Sequence, residues 1–318
     1  HAHHGRHGVS LRDRLFANVG TVSAVGSALA PLSNWVQRLP GAGWLAEKTL
    51  GIARERDLPT FRRETFVDWF EGRSAEVEPA GADRRVVIVP DPYTNYSHPE
   101  AGKAAVEVLE AAGVAVDVAD HGDTGRPAFS KGCLDLARER GEALINELAP
   151  RVAEGWDVLA VEPSDAVMIQ SDYADLLEGE RAAEVMGATY GVCEYLDVHG
   201  LVEDLPADPG PTAESLTYHG HCHQKATLKD GHAAAVLRAA GYEVDVIDSG
   251  CCGMAGSFGY EAEHYAMSRA IGRILFDQVD SSGGTSVVAP GASCRTQLAD
   301  HADEDPPHPI EKLARTVE

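Results

Sequence analysis

The sequence predicts an α/β protein: a parallel-sheet unit duplicated along the chain, with a helical segment ahead of it. Three observations predict this. From Arg84 onward, short β-branched runs alternate with helical stretches, and that alternation implies parallel sheet with right-handed crossovers. The same order then repeats: "LEAAGVAVDV" at 109–118 matches "LRAAGYEVDV" at 237–246, 128 residues further along. Residues 1–79 lack the alternation and are helical in composition, broken by Pro31, Pro40 and several glycines.

Taken in order, residues 1–79 read as short packed helices carried by "LRDRLFANVGTVSAVGSALAPLSNWVQRLP" and "GWLAEKTLGIA". Leu29, Leu32, Trp35 and Val36 make an apolar stripe at helical spacing. It is either ordinary core packing or a docking face for a partner or a membrane surface. The opening "HAHHGRHG" reads as a flexible terminus, and the start at His1 rather than Met reads as a fragment or a processed chain.

Residues 80–196 are expected to form the first α/β copy. "RRVVIVPD", "VAVDVAD" and "WDVLAVEPS" read as buried strands. "GKAAVEVLEAAG" is a helix ending on Gly113, and Leu134, Ala137, Leu144, Ile145 and Leu148 make the stripe of a second helix. Residues 197–318 repeat the scheme, with strands in "ESLTYHGHC", "YEVDVIDSG" and "TSVVAPGASC" and helices in "GHAAAVLRAAG" and "YEAEHYAMSRAIGRILFDQV".

Composition limits the function. Hydrophobic residues make up 44% and charged residues 24%, as in an ordinary globular protein. The net charge of −23 excludes a nucleic-acid partner, which needs a basic face. The acidic excess is spread along the chain and reads as a solubility adaptation. No run approaches 18 uncharged apolar residues and no secretory pattern is present, so a cytoplasmic protein without a spanning helix is expected.

Six cysteines in 318 residues are too few for a disulfide scaffold, and four of them, Cys222, Cys251, Cys252 and Cys294, fall in the final third. Each of those loops follows an expected strand directly. Strand carboxyl ends in a parallel sheet lie along one edge, so loops distant in sequence can meet there. The adjacent pair Cys251–Cys252 lies between Gly250 and Gly253. Glycine tolerates positive φ, so the turn could aim both sulfurs at one centre, and a helix starting just after it would favour thiolate. Four thiolates suit an iron–sulfur cluster. Structural zinc is the second choice, since its C-x₂₋₄-C knuckles are absent. A metal-free dithiol is the third, and a strained Cys251–Cys252 disulfide ranks last. His219, His221 and His223 alternate around Cys222 and read as supporting donors, with direct ligation by one of them the alternative. Cys133 and Cys193 lie in helical patterns and read as buried hydrophobes. In the first copy Thr94, Asp123, Thr124 and Asp165 stand at the equivalent positions, so any metal belongs to the second.

These residues also carry a resemblance. "HGHCHQKA", "DSGCCGMAGSFGYEAEHYAMS" and "GASCRTQL" resemble the paired cysteine-rich CCG domains of FAD-linked oxidoreductases. The nearest likeness is to the C-terminal iron–sulfur region of D-lactate, glycolate and D-2-hydroxyglutarate dehydrogenases. Iron–sulfur components of anaerobic glycerol-3-phosphate dehydrogenase and of heterodisulfide reductase share the domain. "PDPYTNYSHPE", "GRPAFSKGCLDLAR" and "VEPSDAVMIQSDY" resemble its first copy. The resemblance implies a cluster of 4Fe–4S type on Cys222, Cys251, Cys252 and Cys294, with Gly250, Gly253, His221 and His223 lining it. It further implies electron flow from FAD in a separate domain or subunit, with a ferredoxin-like iron–sulfur domain as partner, toward a quinone or other acceptor. A quinone acceptor would bring the chain to the inner face of the membrane. A zinc-bound or metal-free assembly module, or heterodisulfide-type thiol chemistry, is the alternative. Two departures stand out. Gln297 occupies the place of a further cysteine, and the first copy reads Asp123-Thr124-Gly125 and Pro163-Ser164-Asp165 where cysteines are usual. One four-cysteine site is therefore expected.

Overall fold

The structure, a computed structural model, describes all residues except 1, 204, 206–213, 303, 304 and 318. The described strands form two parallel sheets. In the first, β1 (Arg84–Val89), β2 (Val114–Val118), β3 (Asp157–Ala160) and β4 (Thr189–Gly191) lie in the order β2-β1-β3-β4. In the second, β5 (Ser215–Tyr218), β6 (Glu243–Val246) and β7 (Ser286–Val288) lie in the order β6-β5-β7. The first three strands of one sheet thus correspond to the three of the other. Strand β4, three residues long, is too short to show a periodicity and was not expected.

Six helices precede the sheets: α1 (Ala2–His7), α2 (Leu11–Ala17), α3 (Val19–Ala28), α4 (Leu32–Gln37), α5 (Ala42–Leu50) and α6 (Phe66–Glu71). Within the first sheet run α7 (Pro92–Tyr96), α8 (Pro99–Ala111), α9 (Arg126–Ser130), α10 (Leu134–Ala153), α11 (Pro163–Gln170) and α12 (Glu180–Gly187). Helix α13 (Val192–Val198) leads toward the second sheet, which carries α14 (Cys222–Ala226), α15 (Gly231–Ala239), α16 (Tyr265–Ser281), α17 (Ala292–Ala302) and α18 (Pro309–Ala314). Among the described residues, no helix is long and apolar enough to cross a membrane.

Register refines the repeat. Ile88 pairs with Val118 on β2, and Tyr218 pairs with Val246 on β6. The second strands are offset by 128 residues, but the first strands by 130. The caps agree: Asp91 caps α7 and His221 caps α14. Cys222 therefore corresponds to Pro92, not to Thr94 as the uniform offset implied. A difference of two residues between the first two strands of each copy is enough to mislead a sequence offset.

Alternate residues of β1 face opposite sides, as strand geometry requires. Val86 and Ile88 enter a core shared by both sheets, with Leu216, Tyr218 and Val288 from the second and Ile310 and Leu313 from α18. Val87 and Val89 enter another core under α10, with Leu144, Leu148 and Met168. A third, smaller cluster backs the second sheet: Ile247, Met254, Leu275, Phe276, Ala289 and Leu298, together with Cys252 and Cys294.

The N-terminal segment differs from expectation at both ends of its argument. The opening residues form α1, and a ring nitrogen of His4 lies 2.7 Å from the Lys131 carbonyl. The stripe is not core: Leu29, Leu32, Trp35 and Val36 are 54%, 57%, 59% and 47% exposed. The end of the segment instead clasps the second sheet. Ala53 N donates to Tyr260 O and Ala262 N to Gly51 O, each at 2.8 Å. The buried Arg56 donates to Gly259 O and Ser268 Oγ, each at 3.0 Å, and pairs with Asp300.

Candidate functional site

Three loops at the carboxyl ends of β5, β6 and β7 meet at one edge: 219–222, 249–253 and 289–294. Cys222 opens α14 and is half-buried, as is Cys251, while Cys252 and Cys294 are buried. The thiols are near enough to influence one another: Cys222 with Cys251 and Cys294, Cys251 with Cys252, and Cys252 with Cys294.

The turn that permits this depends on one glycine. Gly253 has φ +94°, and a Cβ there would stand 2.3 Å from Ser268 O. Its N–H donates to Cys251 Sγ at 3.3 Å. Gly250, by contrast, has no positive φ, and a Cβ there would meet nothing within 4 Å. The expectation of two flexing glycines is thus reduced to Gly253. The expected helix start also moves: α16 begins at Tyr265, so no helix N-terminus lies directly behind the Cys251–Cys252 pair. Cys294, in the first turn of α17, is the thiol that occupies a helix start.

The neighbouring thiols shift one another. Cys251 is held far below an ordinary thiol by hydrogen bonds from Cys222 and then Cys252, against the cost of burial. Cys294 is held well below by Cys252, against burial, with His219 adding to the effect. Cys222 and Cys252 are pushed up, in each case by Cys251 first. Among the described residues, no group of three or more His, Cys, Asp or Glu is arranged to hold a single metal ion. The donor set, four thiols on a half-buried edge, fits a multi-atom cluster better than one ion.

The histidines separate. His221 caps α14, its Nδ1 accepting from His223 N at 3.3 Å, and its ring leaves no room for a side chain at residue 291: a Cβ on Gly291 would stand 2.4 Å from it. His223 is neutral near pH 7, its pKa lowered to about 4 by burial and by His221 and Arg126, and its Nδ1 is buried without a partner. His219 is fully buried, its Nδ1 2.5 Å from Ser249 Oγ. Gln297 is buried at the edge of the site, donating to Ser268 O at 3.1 Å. Ser249 carried no signal in the sequence, because its place beside His219 is a contact across loops. Cys193 is buried in the shared core as expected, but Cys133 is half-buried and precedes α10 instead of lying inside a helix.

Comparison with known proteins gives this edge a context. Residues 216–299 match the family model of the cysteine-rich domain, CCG. That stretch contains all four clustered cysteines. Over 314 residues the chain is 28% identical to the C component of anaerobic glycerol-3-phosphate dehydrogenase of Escherichia coli K12, covering 97% of this chain and 78% of that protein. It is 26% identical over 329 residues to D-2-hydroxyglutarate dehydrogenase of the same organism, covering 99% of this chain but 31% of that protein. It is also 28% identical over 169 residues to lactate utilization protein A of Geobacillus kaustophilus, covering 50% of this chain and 67% of that protein. The first two relatives are named as one component of a dehydrogenase and as a dehydrogenase.

Proposed function

We propose that the chain is the iron–sulfur electron-transfer region of a flavin-linked dehydrogenase of the 2-hydroxy acid or glycerol-3-phosphate type. The observation that carries this reading is the placement of four thiols in the loops at one sheet edge, within the segment that matches the cysteine-rich domain. Cys222, Cys251, Cys252 and Cys294 would hold a cluster of the 4Fe–4S type. Such a cluster supplies one-electron storage at a potential set by hydrogen bonding and burial. The chain's own residues do the rest. Cys252 and Cys294 sit in the apolar cluster and keep water from one side, while Cys222 and Cys251 stand half-exposed on the side where a donor or acceptor can approach. The Gly253 N–H offsets charge on Cys251.

The substrate would be oxidised elsewhere, on FAD in a partner domain or subunit, with electrons passing onward to a quinone or other acceptor. D-2-hydroxyglutarate dehydrogenase extends well beyond the matched region, so in that relative the matched part has a covalent neighbour. The exposed stripe Leu29, Leu32, Trp35 and Val36 is the surface we assign to such a flavoprotein. Residues 1–79, 80–196 and 197–318 would be its helical, first and second α/β units. The shared core across the two sheets supports their folding together. The chain would work on the cytoplasmic side.

The test is anaerobic loading of the purified chain with iron and sulfide, followed by metal analysis, visible absorption and EPR. A coloured protein with iron and sulfide that depend on all four cysteines is expected. A colourless protein that takes up one zinc per chain overturns the reading.

A further inference from the structure

Helix α17 carries Cys294 in its first turn, and the residue that starts it cannot cap it with a side chain. The Gly291 carbonyl accepts from Arg295 N at 2.9 Å, so Gly291 is the N-cap residue. The His221 ring keeps that position a glycine, as the close approach to a Cβ at 291 shows. The first sheet has the ordinary arrangement. Leu159 pairs with Ile88 and Val288 with Tyr218, so by register Glu162 is the counterpart of Gly291. Glu162 caps its own helix α11, its Oε1 accepting from Ser164 N at 3.3 Å. Its other oxygen crosses to the second sheet, where Oε2 accepts from Ala292 N at 2.8 Å. One buried side chain thus caps the corresponding helix on both sheets. The same turn of α17 rests on the first sheet through a second residue. Arg295 is buried with its guanidinium 5.2 Å from the centre of the Tyr93 ring, and its Nη1 lies 3.4 Å from the Glu311 oxygen that His98 Nε2 meets at 3.1 Å.

We propose that Glu162 is a positioning residue for the centre on the other sheet: by capping α17 it fixes the first turn of that helix, and with it the place of Cys294. The inference rests on Cys294 being a cluster ligand. Cys294 is the third residue of α17, inside the turn whose N–H groups have no partner within the helix. A turn left without a cap frays, and a side-chain oxygen on its N–H groups holds it closed. Fraying here would move the sulfur relative to Cys222, Cys251 and Cys252, which sit on other loops. A carboxylate is a favourable acceptor at a helix start because it also meets the positive end of the helix dipole. The first sheet, which keeps no thiols at its edge, therefore has a part in the site: it supplies the cap that His221 denies to residue 291.

The test uses the full chain with Glu162→Asp and Glu162→Gln. Aspartate is a good N-cap for α11 but is one methylene too short to reach Ala292 as well. Glutamine keeps the length and an acceptor oxygen. In the metal-free, reduced chain, hydrogen exchange read by NMR is expected to show the Ala292 amide protected in the wild type. In Glu162→Asp it is expected to exchange about fivefold faster while the Ser164 amide is unchanged, and in Glu162→Gln to stay close to wild type. In the iron-loaded protein, Glu162→Asp is expected to lose iron to a chelator about tenfold faster, with Glu162→Gln restoring the wild-type rate. A wild-type Ala292 amide that exchanges freely overturns the proposal, and so does unchanged exchange at Ala292 in Glu162→Asp. Iron held as long as in the wild type by a Glu162→Asp chain whose Ala292 amide is loosened overturns it too. Should Glu162→Asp not fold, Glu162→Gln decides: fast iron loss with Ala292 still protected overturns the proposal, and slow loss with Ala292 protected supports it. Should the wild-type chain take up no iron, the proposed function falls, and the Ala292 amide still decides whether Glu162 seats α17.

Discussion

The two sheet edges share a backbone plan and differ in chemistry. Gly125 and Gly253 turn the corresponding loops with φ +81° and +94°. Asp91 and His221 cap the corresponding short helices. In the second edge Cys252 lies near Cys294. In the first, at the same two places, the Thr124 hydroxyl donates to Asp165. The first edge is closed by buried acids and hydroxyls over a large apolar cluster, and Tyr173 also donates to Thr124 O at 2.8 Å. The second keeps four thiols over a small cluster. The difference teaches that this backbone does not need cysteines to fold. On the proposed reading, their presence in one half and absence from the other follows ligand chemistry.

That comparison breaks most sharply at the thiols. Cys252→Ser and Cys294→Ser are expected to lose most bound iron, whereas Thr124→Ala and Asp165→Asn in the first half keep it. Iron and sulfide analysis after anaerobic loading reads the outcome. Iron loss in the first-half variants would mean that the site spans both edges.

The glycines come next, because both halves use the same turn. Gly253→Ala and Gly125→Ala each place a Cβ against backbone, 2.3 Å from Ser268 O and 2.7 Å from Ala137 O. Each is expected to cost about 1–3 kcal/mol in denaturant unfolding, with iron binding altered only by Gly253→Ala. Gly250→Ala, with open space around it, is expected to stay within about 0.5 kcal/mol. Equal losses at Gly250 and Gly253 would remove the assignment of the turn to one residue.

A smaller effect separates the halves by pH. Burial, with Glu162 beside it, raises the Asp91 carboxyl to about 6, and Asp91 Oδ2 is buried without a partner. Burial and Asp91 hold Asp165 well above its ordinary value. A carboxyl whose folded pKa is raised contributes its stability fully below the unfolded value near 4, and that contribution is lost as pH rises through about 6. Urea unfolding of the metal-free chain is expected to weaken between about pH 4 and 7 by on the order of 2 kcal/mol from Asp91. Asp91→Asn is expected to flatten that slope. An unchanged slope would show that the acid is not the source.

The smallest expected change in stability lies outside both sheets. Leu32→Ser and Trp35→Ser alter exposed side chains and are expected to shift unfolding by no more than about 0.5 kcal/mol. They are expected to weaken association with a flavin-carrying dehydrogenase partner in a pull-down. Flotation of the wild-type chain with lipid vesicles would move the assignment from a protein face to a membrane.

Much of this was legible in advance. Alternating runs such as Val86–Val89 and the stripe of α10 are short-range patterns, and both elements formed where the patterns lie. The cysteines stood out because adjacent thiols beside a glycine are rare for packing reasons alone. Other features were hidden. The register that sets Cys222 against Pro92 depends on pairing with β2 and β6, not on spacing. The exposure of Trp35 could not be told from helical periodicity, since the same stripe serves a core or a surface. His219 looked like its neighbours His221 and His223, and only its burial and its orphaned Nε2 set it apart.

The sequence by itself determined the α/β class, the repeated order of strands and helices, and the set of candidate thiols, because periodicity and residue chemistry are local properties. The tertiary structure alone decided that the four thiols come to one sheet edge, that both sheets bury a common core, and that Ser249 stands beside His219. These are contacts between segments separated by a helix or more. Sheet order and strand register create such contacts, and a linear chain does not record which of its loops will share an edge.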